Sequence, residues 1–312
     1  MLLTKRQPWH NIKGAPIFLY RKMANAITRQ RLGGLILSII LGIDVGGSTT
    51  KIVGFSTDKQ LIGTLQVRAG DQITSMYGAV GHFARQYNIS LSDIASVILT
   101  GVGASFFAEN VYNIPTVKVD EFRAIGYGGL YLSGVEEAFV ASMGTGTAFV
   151  RATKKEIAHI GGSGVGGGTL LGLSSIMLNK SDIDAVLALA ETGHIENVDL
   201  SVRDIINREI LSLPYNLTAA NFGRVKSTAT DADYAIGIIN MIFQTIGMMA
   251  VFMARNDTIK DVVLTGTLST FPQAPANFAA ISKVCDVSFI IPENAVYATA
   301  IGAAVSYIET LK

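Results

Sequence analysis

The chain is poor in several things at once. It holds one cysteine, Cys285, in 312 residues. That excludes a disulfide framework, a CxxC zinc site and a cysteine-ligated iron–sulfur cluster within one chain. Cys285 itself lies in an apolar setting and reads as a small core residue. Charged side chains make up only 16% of the sequence and the net charge is +1, which argues against a dedicated nucleic-acid binder. Unbroken apolar runs fall short of the roughly 20 residues that span a bilayer. The longest apolar stretch, Tyr234 to Arg255, is interrupted by Gly237, Asn240, Gln244, Thr245 and Gly247. It reads as a buried helix, with a subunit interface as one use for it. The four histidines, His10, His82, His159 and His194, show no metal-cluster spacing. There is no GxSxG elbow and no GxxxxGK[ST] loop. The expectation is a cytoplasmic enzyme with no nucleic-acid or membrane partner.

Acidic residues are missing from the start of the chain as well. Residues 1–36 carry seven Lys and Arg, and no Asp or Glu precedes Asp44. A basic start followed by LGGLILSIILGI has the outline of a signal peptide. The apolar run leads straight into an Asp-Gly-Gly turn, however, and its removal would delete the first strand. The segment is therefore expected to be a retained basic extension, poorly ordered.

What the chain has in quantity is apolar side chains, 49%, and 32 glycines. The glycines cluster where strands end. In LGIDVGGSTTKIVGF (41–55) an apolar strand meets Asp44, Gly46, Gly47, Ser48, Thr49, Thr50 and Lys51, and a second strand follows. Glycines allow a sharp bend and close approach of a ligand. Exposed N–H groups in such a turn cradle anions, with the hydroxyls and Lys51 as further donors. Asp44, at the end of a buried strand, suits a hydrated Mg²⁺.

Periodicity then gives strands at Leu35–Ile43, Lys51–Ser56 and Leu61–Val67, a helix at Gln72–Gln86 and a strand at Ala95–Leu99. A short helix at Ala104–Asn110, a strand at Thr116–Val119 and a helix at Glu121–Leu132 follow. The plan restarts with strands at Ala138–Ser142, Ala148–Ala152 and Glu156–Ile160, the first two joined by a turn of Gly144, Thr145, Gly146 and Thr147. A helix after Gly168, strands at Val262–Leu264 and Val287–Ile291, and a helix at Val296–Ile308 complete it. The expected fold is α/β and duplicated, with two lobes and the nucleotide in the cleft between them. The lobes are 37–132 and 133–312, the second with a helical insertion at about 181–255.

Two more stretches carry chemistry. GGSGVGGGTLLGL (161–173) places Gly164, Gly166, Gly167 and Gly168 before a helix, a favourable anion site. Gly162, Gly164 and Gly167 also fit GxGxxG, with Asp184 about twenty residues on. The preceding strands look antiparallel and 169–191 reads as helix throughout, so a dinucleotide fold is not supported. Asp120-Glu121 follows a strand and opens a helix. Acidic residues favour that position for dipole reasons alone; the alternative is a general base at the cleft.

Taken together, GIDVGGSTTKIV, VDEF (119–122), MGTGT (143–147), GGSGVGGGTLLGL, LTAANFG (217–223), VVLTGTL (262–268) and AIGAA (300–304) resemble the type II pantothenate kinases. These are small members of the actin-like, sugar-kinase ATPase superfamily, whose domains are ribonuclease H-like. The resemblance covers about residues 40–310. It implies ATP, Mg²⁺, a homodimer and phosphorylation of pantothenate, the first step of coenzyme A biosynthesis. By position it implies Glu121 as catalytic base and Asp44, Gly46, Gly47, Ser48, Thr49 and Lys51 as the first ATP loop, Asp44 on the metal side. Gly144, Thr145, Gly146 and Thr147 match the second loop, and Gly164, Gly166, Gly167 and Gly168 the Gly-rich loop. Gly266 falls on the adenosine side. In one respect the chain departs from the family: His159 stands where an arginine usually contacts pantothenate. An imidazole is a poorer carboxylate partner than a guanidinium, so either His159 does that work, Arg123 substitutes (with Thr147 also on the substrate side), or the substrate differs. The alternatives are a kinase for pantetheine or a sugar, an ATPase activator of 2-hydroxyacyl-CoA dehydratases, and a non-catalytic actin-like nucleotide sensor. The activators carry cluster cysteines that this chain lacks.

Overall fold

The computed structural model describes residues 38–68, 70–206 and 218–311. The basic segment 1–36 lies outside the described residues.

Two five-stranded sheets form the frame. The first has the order β3-β2-β1-β4-β5 and the second β12-β11-β6-β7-β8. Read outward from β1 and from β6, the two orders are the same. In the first sheet β1 (Ile39–Val45), β2 (Thr49–Ser56) and β3 (Leu61–Arg68) form an antiparallel meander, and β4 (Ile94–Thr100) and β5 (Thr116–Lys118) add in parallel. In the second, β6 (Glu137–Met143), β7 (Thr147–Thr153) and β8 (Ile157–Ser163) repeat the meander, and β11 (Asp261–Thr265) and β12 (Ser288–Ile290) the parallel addition. β1 and β6 are buried on both faces, which accounts for their near-continuous apolar sequence.

Among the described residues seven α-helices surround the sheets. α1 (Gln72–Gln86) is capped by Asp71, whose side chain accepts from Thr74 N–H. Its Met76, Val80 and Phe83 pack on Ile43, Val45 and Ile52 at the outer face of the first sheet. α3 (Gly167–Leu178), α5 (Asp231–Ala254) and α6 (Ala274–Ser282) bury the outer face of the second sheet through Leu170, Phe243 and Phe278, and α4 (Ile183–Ala190) packs on α5.

Between the sheets lie α2 (Glu121–Ser133) and α7 (Ala298–Thr310). They are exchanged. α2 closes the first half of the chain, yet Ile125 packs on Val140, Val150 and Val263 of the second sheet. α7 closes the second half, and Ala300, Ile301 and Ala304 pack on Ile40, Val53 and Ile98 of the first. The two helices meet backbone to backbone. A Cβ on Gly302 would stand 1.8 Å from the Ala124 carbonyl oxygen, and one on Gly128 1.9 Å from that of Ala298. Each of the halves 37–132 and 133–312 thus supplies a sheet, and each sheet is sealed by the other's last helix.

Several local expectations shift. The strand expected at Leu35–Ile43 runs on through Asp44 to Val45; residues 35–37 lie outside the described residues. The helix expected at Ala104–Asn110 is a 3-10 turn, Val102–Phe106, because Tyr112 and Asn113 adopt left-handed backbone and close a small Val111–Ile114 bridge. The helix after Gly168 breaks at Asn179 (φ 54°) before α4 begins. The helical insertion also contains a two-stranded ribbon, β9 (Leu200–Ser201) with β10 (Thr218–Ala220).

α5 runs straight through the polar interruptions. By length and composition alone its 24 residues would cross a membrane, but half of its most apolar window is buried inside the protein. Asn240, also buried, donates to the Asp199 carboxylate at 2.8 Å.

The helix crossing is the most size-restricted point of the frame. Gly302→Ala is expected to lose at least about 1–3 kcal/mol through overpacking, measured by urea denaturation, because the obstructing atoms are backbone that cannot rotate away.

Candidate active site

The cleft opens at the carboxyl ends of β1 and β6, where the two glycine turns face each other. Asp44 is the second-last residue of β1, in register with Lys51 of β2 on one side and Thr100 of β4 on the other. Lys51 is only 7% exposed. The turn between β1 and β2 is closed by Gly46 N–H donating to the Thr49 carbonyl at 3.0 Å, with Gly47 and Ser48 exposed at its tip. The β6–β7 turn is closed one residue tighter, Gly144 N–H donating to the Gly146 carbonyl at 2.9 Å. The tips approach across the cleft: the Ser48 and Thr145 hydroxyls are 3.5 Å apart.

The Gly-rich loop folds onto the second turn. Gly167 N–H donates to the Gly144 carbonyl and Gly168 N–H to that of Thr145, each at 2.8 Å, while Gly166 N–H donates to the Thr169 hydroxyl. The first N–H groups of α3, which a helix cannot satisfy internally, are therefore engaged by the turn rather than turned outward. The requirement for glycine here is steric: a Cβ on Gly166 would stand 2.7 Å from the Thr145 carbonyl oxygen and 2.8 Å from Gly146 Cα. Thr147 belongs to the same clasp, buried and donating its hydroxyl to the Val165 carbonyl at 2.8 Å. Gly164 is exposed, with open space around it.

Glu121 is the first residue of α2, after the N-cap Asp120, whose side chain accepts from Arg123 N–H at 2.9 Å. Desolvation raises the Glu121 pKa above the ordinary carboxylate range, and the charges of Asp44 and Asp120 add to the rise. Burial likewise raises that of Asp44, offset in part by Lys51. Asp44 and Glu121 come from different elements, β1 of the first sheet and the start of α2, and the Asp44 charge contributes to the rise at Glu121.

His159 lies on edge strand β8, exposed, its ring stacked on Phe122 at 3.8 Å between centroids and 15° between planes. It therefore sits against the residue next to Glu121. Arg123 is exposed and holds its guanidinium 5.3 Å from the Tyr127 ring centre, along α2. Gly266 follows β11 with φ +85°, and its N–H donates to the Ala295 carbonyl at 3.0 Å. A Cβ there would stand 2.5 Å from the Met143 carbonyl oxygen.

Two contributors escaped the sequence reading. Gly101, with φ +86°, lies against Asp44: a Cβ would stand 2.5 Å from its Oδ1. The repeated Thr-Gly after β4 and β11 was the available signal. Phe122, the platform for His159, had none.

This two-lobed frame, with a pair of glycine turns facing across a cleft, is the fold of the actin-like ATPases and sugar kinases. Component A of (R)-2-hydroxyglutaryl-CoA dehydratase from Acidaminococcus fermentans matches with a TM-score of 0.65 at 16% identity, over 88% of this chain and 100% of that one. The activator of 2-hydroxyisocaproyl-CoA dehydratase from Clostridium difficile, solved with bound ADPNP, matches at 0.64 and 13%, over 87% and 95%. At such identities the likeness concerns the fold alone. Sequence comparison narrows the class. The profile of the Fumble family matches residues 138–287. The type II pantothenate kinase of Staphylococcus epidermidis is 30% identical over 236 residues, 73% of this chain and 84% of that protein. That of Staphylococcus haemolyticus is 29% identical over 276 residues, 84% and 98%. The chain belongs to the type II pantothenate kinase family.

The raised Glu121 pKa has a sign for stability. The folded state holds the Glu121 proton to higher pH than the unfolded chain, so this group's contribution to stability falls as pH rises through its folded pKa. At neutral pH Glu121→Gln is expected to raise the melting temperature relative to the parent, and the gain to vanish in acid below both pKa values. A pH series of thermal melts measures this.

Proposed function

We propose that the chain transfers the γ-phosphoryl group of ATP to the primary hydroxyl of pantothenate, opening coenzyme A biosynthesis. The single observation that carries this reading is the approach of the two glycine turns across the cleft, Ser48 to Thr145 at 3.5 Å, with Asp44 beside the first turn and its charge felt at Glu121. Glu121 takes the hydroxyl proton as the substrate oxygen bonds to the γ-phosphorus, and ADP leaves. A pKa raised by desolvation makes the carboxylate a stronger base. Lys51 and the tips of both turns (Gly46, Gly47, Ser48 and Thr49; Gly144, Thr145 and Gly146) line the phosphate chain. The Gly164–Gly168 loop and Gly266 bound the rest of the nucleotide. Thr147 holds the loop through its hydroxyl.

Asp44 fits a Mg²⁺ ion: it takes no hydrogen bond or ion pair from the described residues, and burial leaves its charge under-compensated. When bound, the ion would offset phosphate charge. His159, backed by Phe122, faces the substrate carboxylate, with Arg123 as the nearest alternative cation on α2. A homodimer, for which the partly uncovered apolar α5 offers a surface, and a cytoplasmic location complete the proposal.

The activator reading is disfavoured by chemistry, since Cys285 is the one cysteine in the chain and packs with the second lobe's core. The test is ADP release with MgATP against pantothenate, pantetheine and several sugars. Saturable turnover with pantothenate is expected; silence with pantothenate beside turnover of another acceptor would reassign the substrate. Glu121→Gln is expected to lose about 10²–10⁴-fold in kcat while calorimetry still detects nucleotide binding. Parental rates in that variant would remove Glu121 as base. His159→Ala is expected to raise KM for pantothenate and leave that for uncharged pantetheine unchanged; equal effects on both would assign the carboxylate contact elsewhere.

A further inference from the structure

Helix α3 has an unusual course. It starts at the Gly-rich loop, where Gly167 and Gly168 are fastened to the second turn, and its twelve residues carry the chain about 18 Å away. Four residues on, Asp182 begins α4. Its Oδ1 accepts from Ala185 N–H at 3.2 Å as the N-cap, and its Oδ2 meets Arg68 Nη2 at 3.3 Å. Arg68 ends β3, the edge strand of the first sheet, in register with Thr49 of the first turn. Among the described residues this is the one ion pair joining the first sheet to the second lobe's outer helices. The remaining cross-cleft polar contact near the turns is Ser48 with Thr145.

We propose that the Arg68–Asp182 pair is a latch across the cleft, holding the lobes near the closed arrangement and thereby raising nucleotide affinity. This rests on the nucleotide reading above. Both side chains are largely exposed, 87% and 49%, so the pair is weak and screened by salt. A weak tie suffices for this purpose. Apparent affinity scales with the fraction of molecules already in the binding-competent form, and an exposed pair shifts that fraction only severalfold, leaving the cleft free to open for product release. One carboxylate serves both as helix cap and as latch, so α4 and the first sheet are tied through a single residue.

The test is a double-mutant cycle with Arg68→Gln and Asp182→Asn. Asparagine keeps the capping oxygen and removes the charge. Calorimetry with ADP at low salt should show each single variant weakened about two- to fivefold, the double variant no weaker than either, and the differences gone at about 0.5 M salt, where screening is nearly complete. Parental affinity in both singles, additive losses in the double, or losses that persist in high salt would overturn the latch. A second readout needs no nucleotide. Spin labels at exposed Arg85 of α1 and Glu191 after α4, in a Cys285→Ser background, report the lobe separation by pulsed dipolar spectroscopy. Arg68→Gln should shift the distribution to longer distances, and an unchanged distribution counts against the latch. If the parent binds no ADP while the distances respond, the nucleotide reading fails and the effect on affinity with it, and only the tie between the lobes stands.

Discussion

The structure depends on a contact that contains no side chains. Where α2 crosses α7, Gly128 and Gly302 let the two helices touch through their backbones, closer than any pair of alanines permits. That approach sets the spacing of the two sheets, since each helix lies on the sheet of the other half. The spacing in turn sets the separation of the β1 and β6 ends, and so the width at which the two glycine turns face each other. It also places the first residue of α2, Glu121, in the field of Asp44, near the end of a strand of the other layer. The electrostatics of the site are thus a product of helix packing some distance behind it.

The glycines at the front of the cleft have a related but separate origin. Gly166 is needed because Thr145 and Gly146 occupy the space a side chain would take. Gly167 and Gly168 give their N–H groups to the carbonyls of the turn. Loop and turn form one rigid piece before any ligand arrives, with the donors of the helix start already committed. What remains outward-facing is the pair of turn tips and the open surface at Gly164.

Much of this was legible in the sequence because duplication leaves marks at fixed places. The strand–glycine–strand pattern at 41–55 recurs at 138–152, and the Thr-Gly ending at 100–101 recurs at 265–266, so the plan of two like sheets followed from pattern alone. The strand content was recoverable because β1 and β6 are buried on both faces and read as apolar throughout. Helix exchange was not recoverable. An amphipathic helix after the fifth strand packs equally well on either sheet as far as its own residues show, and only the Gly128–Gly302 contact decides. GxGxxG at 162–167 is uninformative for a similar reason: glycine spacing does not say what approaches, and here Gly162 and Gly167 face protein backbone while Gly164 faces open space. The stack of His159 on Phe122 joins residues 37 positions apart, with no local pattern to announce it.

The exchange of helices also governs how the chain is made. The first sheet is complete by about residue 118, but the face that α7 covers, lined by Ile40, Val53, Phe55 and Ile98, stays bare until residues 298–310 have left the ribosome. At about 5–20 residues per second that interval is about 10–40 s. During it the nascent first half carries an exposed apolar sheet and a helix, α2, with no surface of its own to rest on. The protein therefore gains its cooperative structure at the end of synthesis rather than lobe by lobe. A chain of this design is most in need of protection by chaperones while it is still attached, a vulnerability written into the same interlock that later joins the two sheets.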